Sequence, residues 1–153
     1  MITIGFLADY PDTIPLLAKW FRSQWSDYYA NWSQTEIEPG FLLDASRNRL
    51  PSRLVAFVAN ELVGTIVLRE HGNESLPASQ PELGGLYVVE SHRGQGIGTE
   101  LVRAGMKLAL DQGYETVYST TVQAADILER LGWEFVKTVT HQDGELALYR
   151  FKL

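Results

Sequence analysis

Leu86-Tyr87-Val88-Val89-Glu90-Ser91-His92-Arg93-Gly94-Gln95-Gly96-Ile97-Gly98-Thr99 is the stretch on which the reading of this chain turns. Its first four residues are apolar and suit a buried strand. Three glycines follow at alternate positions. From Ile97 the pattern becomes helical: Ile97, Leu101, Gly105 and Leu108 form one stripe, and Glu100, Arg103, Lys107 and Asp111 form the opposite, solvated one. A helix is predicted over 97–112, with Gly113 as its stop. The first amides of a helix have no partner inside it, and the macrodipole is positive there. Glycine lets the backbone approach an anion closely, and Arg93 adds a permanent charge. A strand, a glycine loop and a helix in this order predict a phosphate cradle. A glycine turn that only caps the helix is the plainer alternative.

Two common phosphate motifs do not fit. A P-loop needs a Lys-Ser or Lys-Thr pair after its glycines, and none is present. A dinucleotide fingerprint accepts Gly94 and Gly96 but needs Gly or Ala at position 99, which is Thr. That fingerprint also follows an early strand of a βαβ unit, whereas a hairpin precedes the loop here.

Working outward, residues 2–8 read as a strand and 11–32 as a helical region, with Asp9 or Asp12 available to cap it. Residues 33–50 have room for a second short helix. Two apolar runs, 53–59 and 62–69, lie either side of Asn60-Glu61 and predict an antiparallel hairpin. Residues 71–81 are loop by composition, and 83–89 is another strand. Gly84-Gly85 within it predicts a bulge or a close backbone approach. Thr116–Thr121 reads as a strand. A short helix over 123–131 follows, with Ala124, Ile127, Leu128 and Leu131 inward. Strands over 133–140 and 145–152 pair across the turn at 141–144. The order is that of one mixed α+β domain, residues 1–153, around a single sheet.

Bulk composition narrows the chemistry. The chain of 153 residues carries a formal charge of −6, from 19 acidic and 13 basic residues, which argues against a nucleic-acid stripe. There is no cysteine, so acyl-cysteine chemistry, disulfides and thiolate metal sites are excluded. His71, His92 and His141 fall in predicted loops or turns and share no zinc spacing, so no metal is expected. No apolar run approaches the ~20 residues of a membrane span, and no basic n-region opens the chain. No membrane contact and a cytoplasmic location are expected.

Arg93-Gly94-Gln95-Gly96-Ile97-Gly98 resembles the Arg/Gln-x-x-Gly-x-Gly/Ala signature of the GNAT superfamily of N-acyltransferases. Gly85-Leu86-Tyr87-Val88 resembles that family's fourth strand, and Leu131-Gly132-Trp133 its Leu-Gly-Phe element. The resemblance implies a mostly antiparallel mixed sheet of about seven strands, split between the fourth and fifth, with about four flanking helices. It implies acetyl-CoA as co-substrate. The backbone of Gly94, Gln95, Gly96, Ile97, Gly98 and Thr99 would hold the pyrophosphate, with Arg93 at the head of the motif. Main-chain groups of Leu86, Tyr87 and Val88 would pair with the pantetheine arm as an added strand.

Direct transfer to an amine also needs a proton acceptor. The family's base often lies on the fourth strand, where Glu82 is the nearest carboxylate; a surface glutamate ahead of a strand is the alternative reading. Glu90 is a weaker candidate beside the loop. The family's acid is frequently a tyrosine three residues before the Leu-Gly-Phe element, and Leu128 stands there. Tyr118 and Ser119 on the preceding strand are the candidates to replace it. The family's first two helices usually wall the acceptor. Here Trp25, Tyr28, Tyr29 and Trp32 are spaced to share a helix face, beside Asp27, Glu36 and Glu38. A small amine acceptor is therefore expected. The second reading is a non-catalytic acyl-CoA-binding or regulatory module. The C-terminal hairpin and the aromatic first helices each offer a homodimer interface.

Overall fold

The computed structural model describes residues 1–70, 80–141 and 144–153. The strands are β1 (Ile2–Phe6), β2 (Ser52–Val58), β3 (Glu61–Glu70), β4 (Pro81–Val88), β5 (Thr116–Thr121), β6 (Glu134–His141) and β7 (Gly144–Lys152). The helices are α1 (Ile14–Gln24), α2 (Gln34–Leu43), α3 (Ile97–Asp111) and α4 (Ala125–Arg130). The strands form one sheet in the order β1-β2-β3-β4-β5-β7-β6. Every neighbouring pair is antiparallel except β4 and β5, which run parallel and share one ladder position, Glu82 with Tyr118. The expected seven-stranded mixed sheet with four helices is the observed one, and its weakest seam lies between the fourth and fifth strands.

Two cores cover the two faces. On one, Leu101, Val102, Leu108 and Ala109 of α3 and Leu128 of α4 pack on Leu54, Ile66, Leu83 and Val117. On the other, Leu17 and Phe21 of α1 and Ile37 and Phe41 of α2 pack on Val55 and Leu62. The stripe read at 97–108 is the buried one, and Glu100–Arg103 and Lys107–Asp111 are ion-paired on its outer face. Gly105 lets α3 sit close to β4: a Cβ there would lie 2.4 Å from Leu83 Cδ1. The β4 bulge read at Gly84-Gly85 is present. Thr65 pairs with Tyr87 but Val67 with Gly84, and Gly85 takes φ +60°.

Four sequence expectations shift. The helical region expected over 11–32 ends at Gln24, where Trp25 leaves helical geometry at φ −118°, ψ 55°. Ser23, Ser26, Asp27, Asn31 and Ser33 compete locally for backbone groups and favour turns over helix, and Arg22 Nε donates to Trp32 O at 2.9 Å, tying the loop back onto α1. Asp9 and Asp12 do not cap α1; Asp9 pairs with Arg47 instead. The hairpin turn is Ala59-Asn60, both at positive φ, as a tight two-residue turn requires; Glu61 already belongs to β3. The helix allowed in 33–50 is α2, opened by a capping box between Ser33 and Glu36. His141 ends β6 instead of lying in a turn, and Gly144 opens β7; Gln142, Asp143 and His71 fall outside the described residues.

Candidate functional site

After β4 the chain makes one 3-10 turn at Glu90–His92, runs extended through Arg93, and enters α3 at Ile97. Gly94 and Gly96 take φ +76° and +86°, which only glycine adopts readily, and a Cβ at either would meet nothing within 4 Å. These two glycines bend the loop and keep its surface open. Gly98 differs. A Cβ there would lie 3.0 Å from Ile127 Cδ1, so this glycine admits α4 against the start of α3. Among the described residues, none of the amides of Gly94, Gln95, Gly96, Ile97, Gly98 or Thr99 donates to a protein acceptor. The first to do so is Glu100, to Gly96 O at 3.0 Å. A run of free donors at the positive end of a helix is what an anion needs.

Leu86, Tyr87 and Val88 form the last part of β4, immediately before this loop. Val89 N donates to Val63 O at 2.9 Å, and Tyr87 is the ladder partner of Thr65. Backbone groups alternate along a strand, so the amide and carbonyl of Val88 face away from β3, toward the β5 side. Arg93 turns back onto this strand. Its Nε donates to Val88 O at 2.8 Å, and its guanidinium lies 5.6 Å from the centre of the Tyr87 ring.

Glu82 and Tyr118 are brought together as ladder neighbours between β4 and β5. Glu82 is buried at 2% exposure, which sets aside the surface-glutamate reading. Its Oε2 accepts from Thr120 Oγ1 at 3.2 Å, and its Oε1 lies 3.5 Å from Arg69 Nε. Ser119, the other candidate acid, is committed: its buried hydroxyl donates to Leu83 O at 2.7 Å and staples the two strands. Tyr118 is half-buried, and its β7 ladder partner is Arg150. Arg150 bonds Glu134 at 2.6 Å; that contact first, and a further one to Tyr118, raise the guanidinium pKa. Leu128 is buried at 2% in the α3–α4 core, so no proton donor stands at that position. Glu90 is exposed, and Ser91 and His92 share a 3.0 Å hydrogen bond.

A family model described as the acetyltransferase (GNAT) family matches residues 17–133. The chain belongs to this family. It is 32% identical over 126 residues to N-acetyltransferase 8F1 of Rattus norvegicus, covering 80% of this chain and 56% of that protein. It is 30% identical over 123 residues to N-acetyltransferase 8B of Mus musculus, covering 76% of this chain and 51% of that one. The chain thus spans about half the length of the curated relatives it matches. Among solved structures, an aminoglycoside 6'-N-acetyltransferase complexed with coenzyme A aligns at a TM-score of 0.76 and 20% identity, over 98% of this chain and 96% of that one. An acetyltransferase of the GNAT family from Streptococcus pneumoniae aligns at 0.74 and 14% identity over the whole of both chains. These structures show the shared fold.

In this GNAT chain the aromatic residues expected to line the acceptor do not share a helix face. Trp25 closes α1, while Tyr28 and Tyr29 lie in the loop beyond it, Tyr28 exposed and Tyr29 half-buried. Burial, then neighbouring Tyr28, raise the Tyr29 phenol, against the lowering pull of Arg53 and Arg69. The centre of the aromatic cluster is Tyr87, whose ring stands 5.3 Å from Trp20, 6.1 Å from Phe21 and 6.2 Å from Trp25.

One feature had no sequence signal beyond a lone charge in an apolar run. Arg53 of β2 is buried between the rings of Phe21 and Phe41. It bonds Asp44 at 3.0 Å and Thr65 at 3.2 Å. Desolvation pulls its pKa down and Asp44 opposes this. Asp44 is therefore spent on Arg53, and Glu36 on the α2 cap; of the other acidic residues in this region, Asp27 is exposed and Glu38 half-buried. Among the described residues, no cluster of three His, Asp or Glu could hold a metal ion, and no helix is long and apolar enough to cross a membrane.

Proposed function

We propose that this GNAT protein is an acetyl-CoA-dependent N-acetyltransferase that moves the acetyl group directly to the primary amine of a small molecule or peptide. The observation that carries this reading is the run of amides from Gly94 to Thr99 at the head of α3 that have no acceptor among the described residues, next to a strand whose Val88 edge faces the β4–β5 seam. Those amides suit the cofactor's pyrophosphate, and the β4 edge suits an extended arm that adds as a strand. The thioester then lies near β4 and β5, where Glu82 and Tyr118 stand side by side. The neutral amine nitrogen attacks the thioester carbonyl, an N–C bond forms and the C–S bond breaks. Glu82 accepts the amine proton, directly or through one water. The Tyr118 hydroxyl supplies a proton to the departing thiolate, with Arg150 donating to the phenol oxygen. Trp25, Tyr28 and Tyr29 offer ring faces to the acceptor, and Asp27 and Glu38 attract its ammonium form. A small amine is favoured over nucleic acid by the negative surface; the cytoplasm is the proposed setting, and a homodimer remains part of the proposal.

Buried Leu128 favours a second reading, a binding module without catalysis, because the phenol expected there is absent. Free-thiol release from acetyl-CoA across a panel of amines separates the two. Turnover with at least one amine is expected, and Glu82→Gln should lower kcat by ~10²–10⁴-fold while leaving CoA affinity within a few fold. CoA binding with no thiol release across a broad panel would favour the binding module instead.

A further inference from the structure

We propose that Arg93 is a positioning residue that switches between two partners and so couples the filling of the phosphate loop to the aromatic wall at the end of α1. The inference rests on the reading of 94–99 as the pyrophosphate site and adds to it a role for one side chain. A motif arginine whose charge served only the anion would be expected to reach over the glycine loop. Arg93 instead lies on β4, with Nε on Val88 O at 2.8 Å and its guanidinium over Tyr87. Val88 O is the acceptor that faces the β5 side, the same group an added pantetheine amide would use. Tyr87 is the ring that touches Trp20, Phe21 and Trp25. Arg93 therefore supplies Val88 O with a donor and covers the central ring of the wall.

A doubly charged pyrophosphate at residues 94–99 draws the guanidinium away, because a bond between two ions is stronger than one to a neutral carbonyl or a ring face. Two consequences follow from that single movement. Val88 O is released to the arm of the cofactor at the moment the cofactor arrives. Tyr87 loses its cation, and the packing of Trp20 and Trp25 against it changes. Cofactor and acceptor sites are thereby coupled, and by linkage the coupling runs in both directions.

The test uses the whole chain and coenzyme A itself, with affinity read by calorimetry and the wall read by tryptophan emission. In the wild type, saturating CoA should shift the emission, and Trp20→Phe and Trp25→Phe should each reduce that shift. Arg93→Met keeps the length of the side chain without its charge or donors. It should bind CoA no more than tenfold more weakly yet lose most of the emission shift; Arg93→Gln should behave alike. Wild-type binding without an emission change, or an undiminished shift in both Arg93 variants, would overturn the switch alone. A wild-type chain that does not bind CoA would overturn the pyrophosphate reading and the switch together.

Discussion

Gly96 stands at φ +86° with open space where a side chain would project, so substitutions there separate conformation from charge. Asn and Asp both tolerate the left-handed region better than most residues and have nearly the same shape. Each should cost ~1–2 kcal/mol of stability. Gly96→Asp should in addition weaken CoA binding at least ~10-fold relative to Gly96→Asn, which is ~1.4 kcal/mol. Equal affinities in calorimetric titrations would remove the anion from this loop. At this scale the sequence was legible where a residue type has one physical use. Gly94 and Gly96 were readable because left-handed turns select glycine. Gly98 was assigned to the anion, and its packing against Ile127 went unread, since Ile127 lies far along the chain and spacing does not reveal it. Glu82 could be placed on its strand but not buried, because burial depends on which strand lies beside β4.

Elements were legible in proportion to their periodicity. The stripe of α3 and the β2–β3 hairpin are local patterns, and both are present, the turn one residue earlier than the apolar runs placed it. The end of α1 was missed because aromatic spacing in 25–32 mimics a helix while Ser26, Asp27 and Asn31 favour turns. The close approach of α3 to β4 supplies a direct test. Gly105→Ala would place a Cβ 2.4 Å from Leu83 Cδ1, and overpacking of this kind costs ~1–3 kcal/mol. Urea denaturation should show that loss, and an unchanged midpoint would mean that the helix rides further from the sheet. Leu128→Tyr in α4 tests the missing acid in a similar way. A larger residue in a core that excludes solvent should destabilise by ~1–3 kcal/mol without raising kcat. A gain in thiol-release rate would show instead that this position faces the thioester.

Across the whole molecule, one mixed sheet was expected from the order of elements and its split between the fourth and fifth strands from the family resemblance; the sheet observed has its one parallel pair at that place. Contacts that tie distant segments together were not, and Tyr114 is one of them. Its hydroxyl donates to Glu70 at 2.6 Å, joining the segment after α3 to the end of β3, and this bond pushes the phenol up to about 12. The unfolded phenol titrates near ~10, so the bond contributes its stability fully below pH ~10 and loses it as the pH rises to about 12. The bond is open to solvent, so less than ~1 kcal/mol is expected. Tyr114→Phe should be less stable than the wild type below pH ~10, and the difference should vanish above pH ~12; a difference independent of pH would contradict the assignment. The same exposure of polar groups makes the central claim open to a direct measurement. In an amide-resolved NMR titration with coenzyme A, the account predicts that the resonances of Gly94 through Thr99 move farthest and saturate together. Saturable CoA binding that leaves those amides unmoved would contradict it.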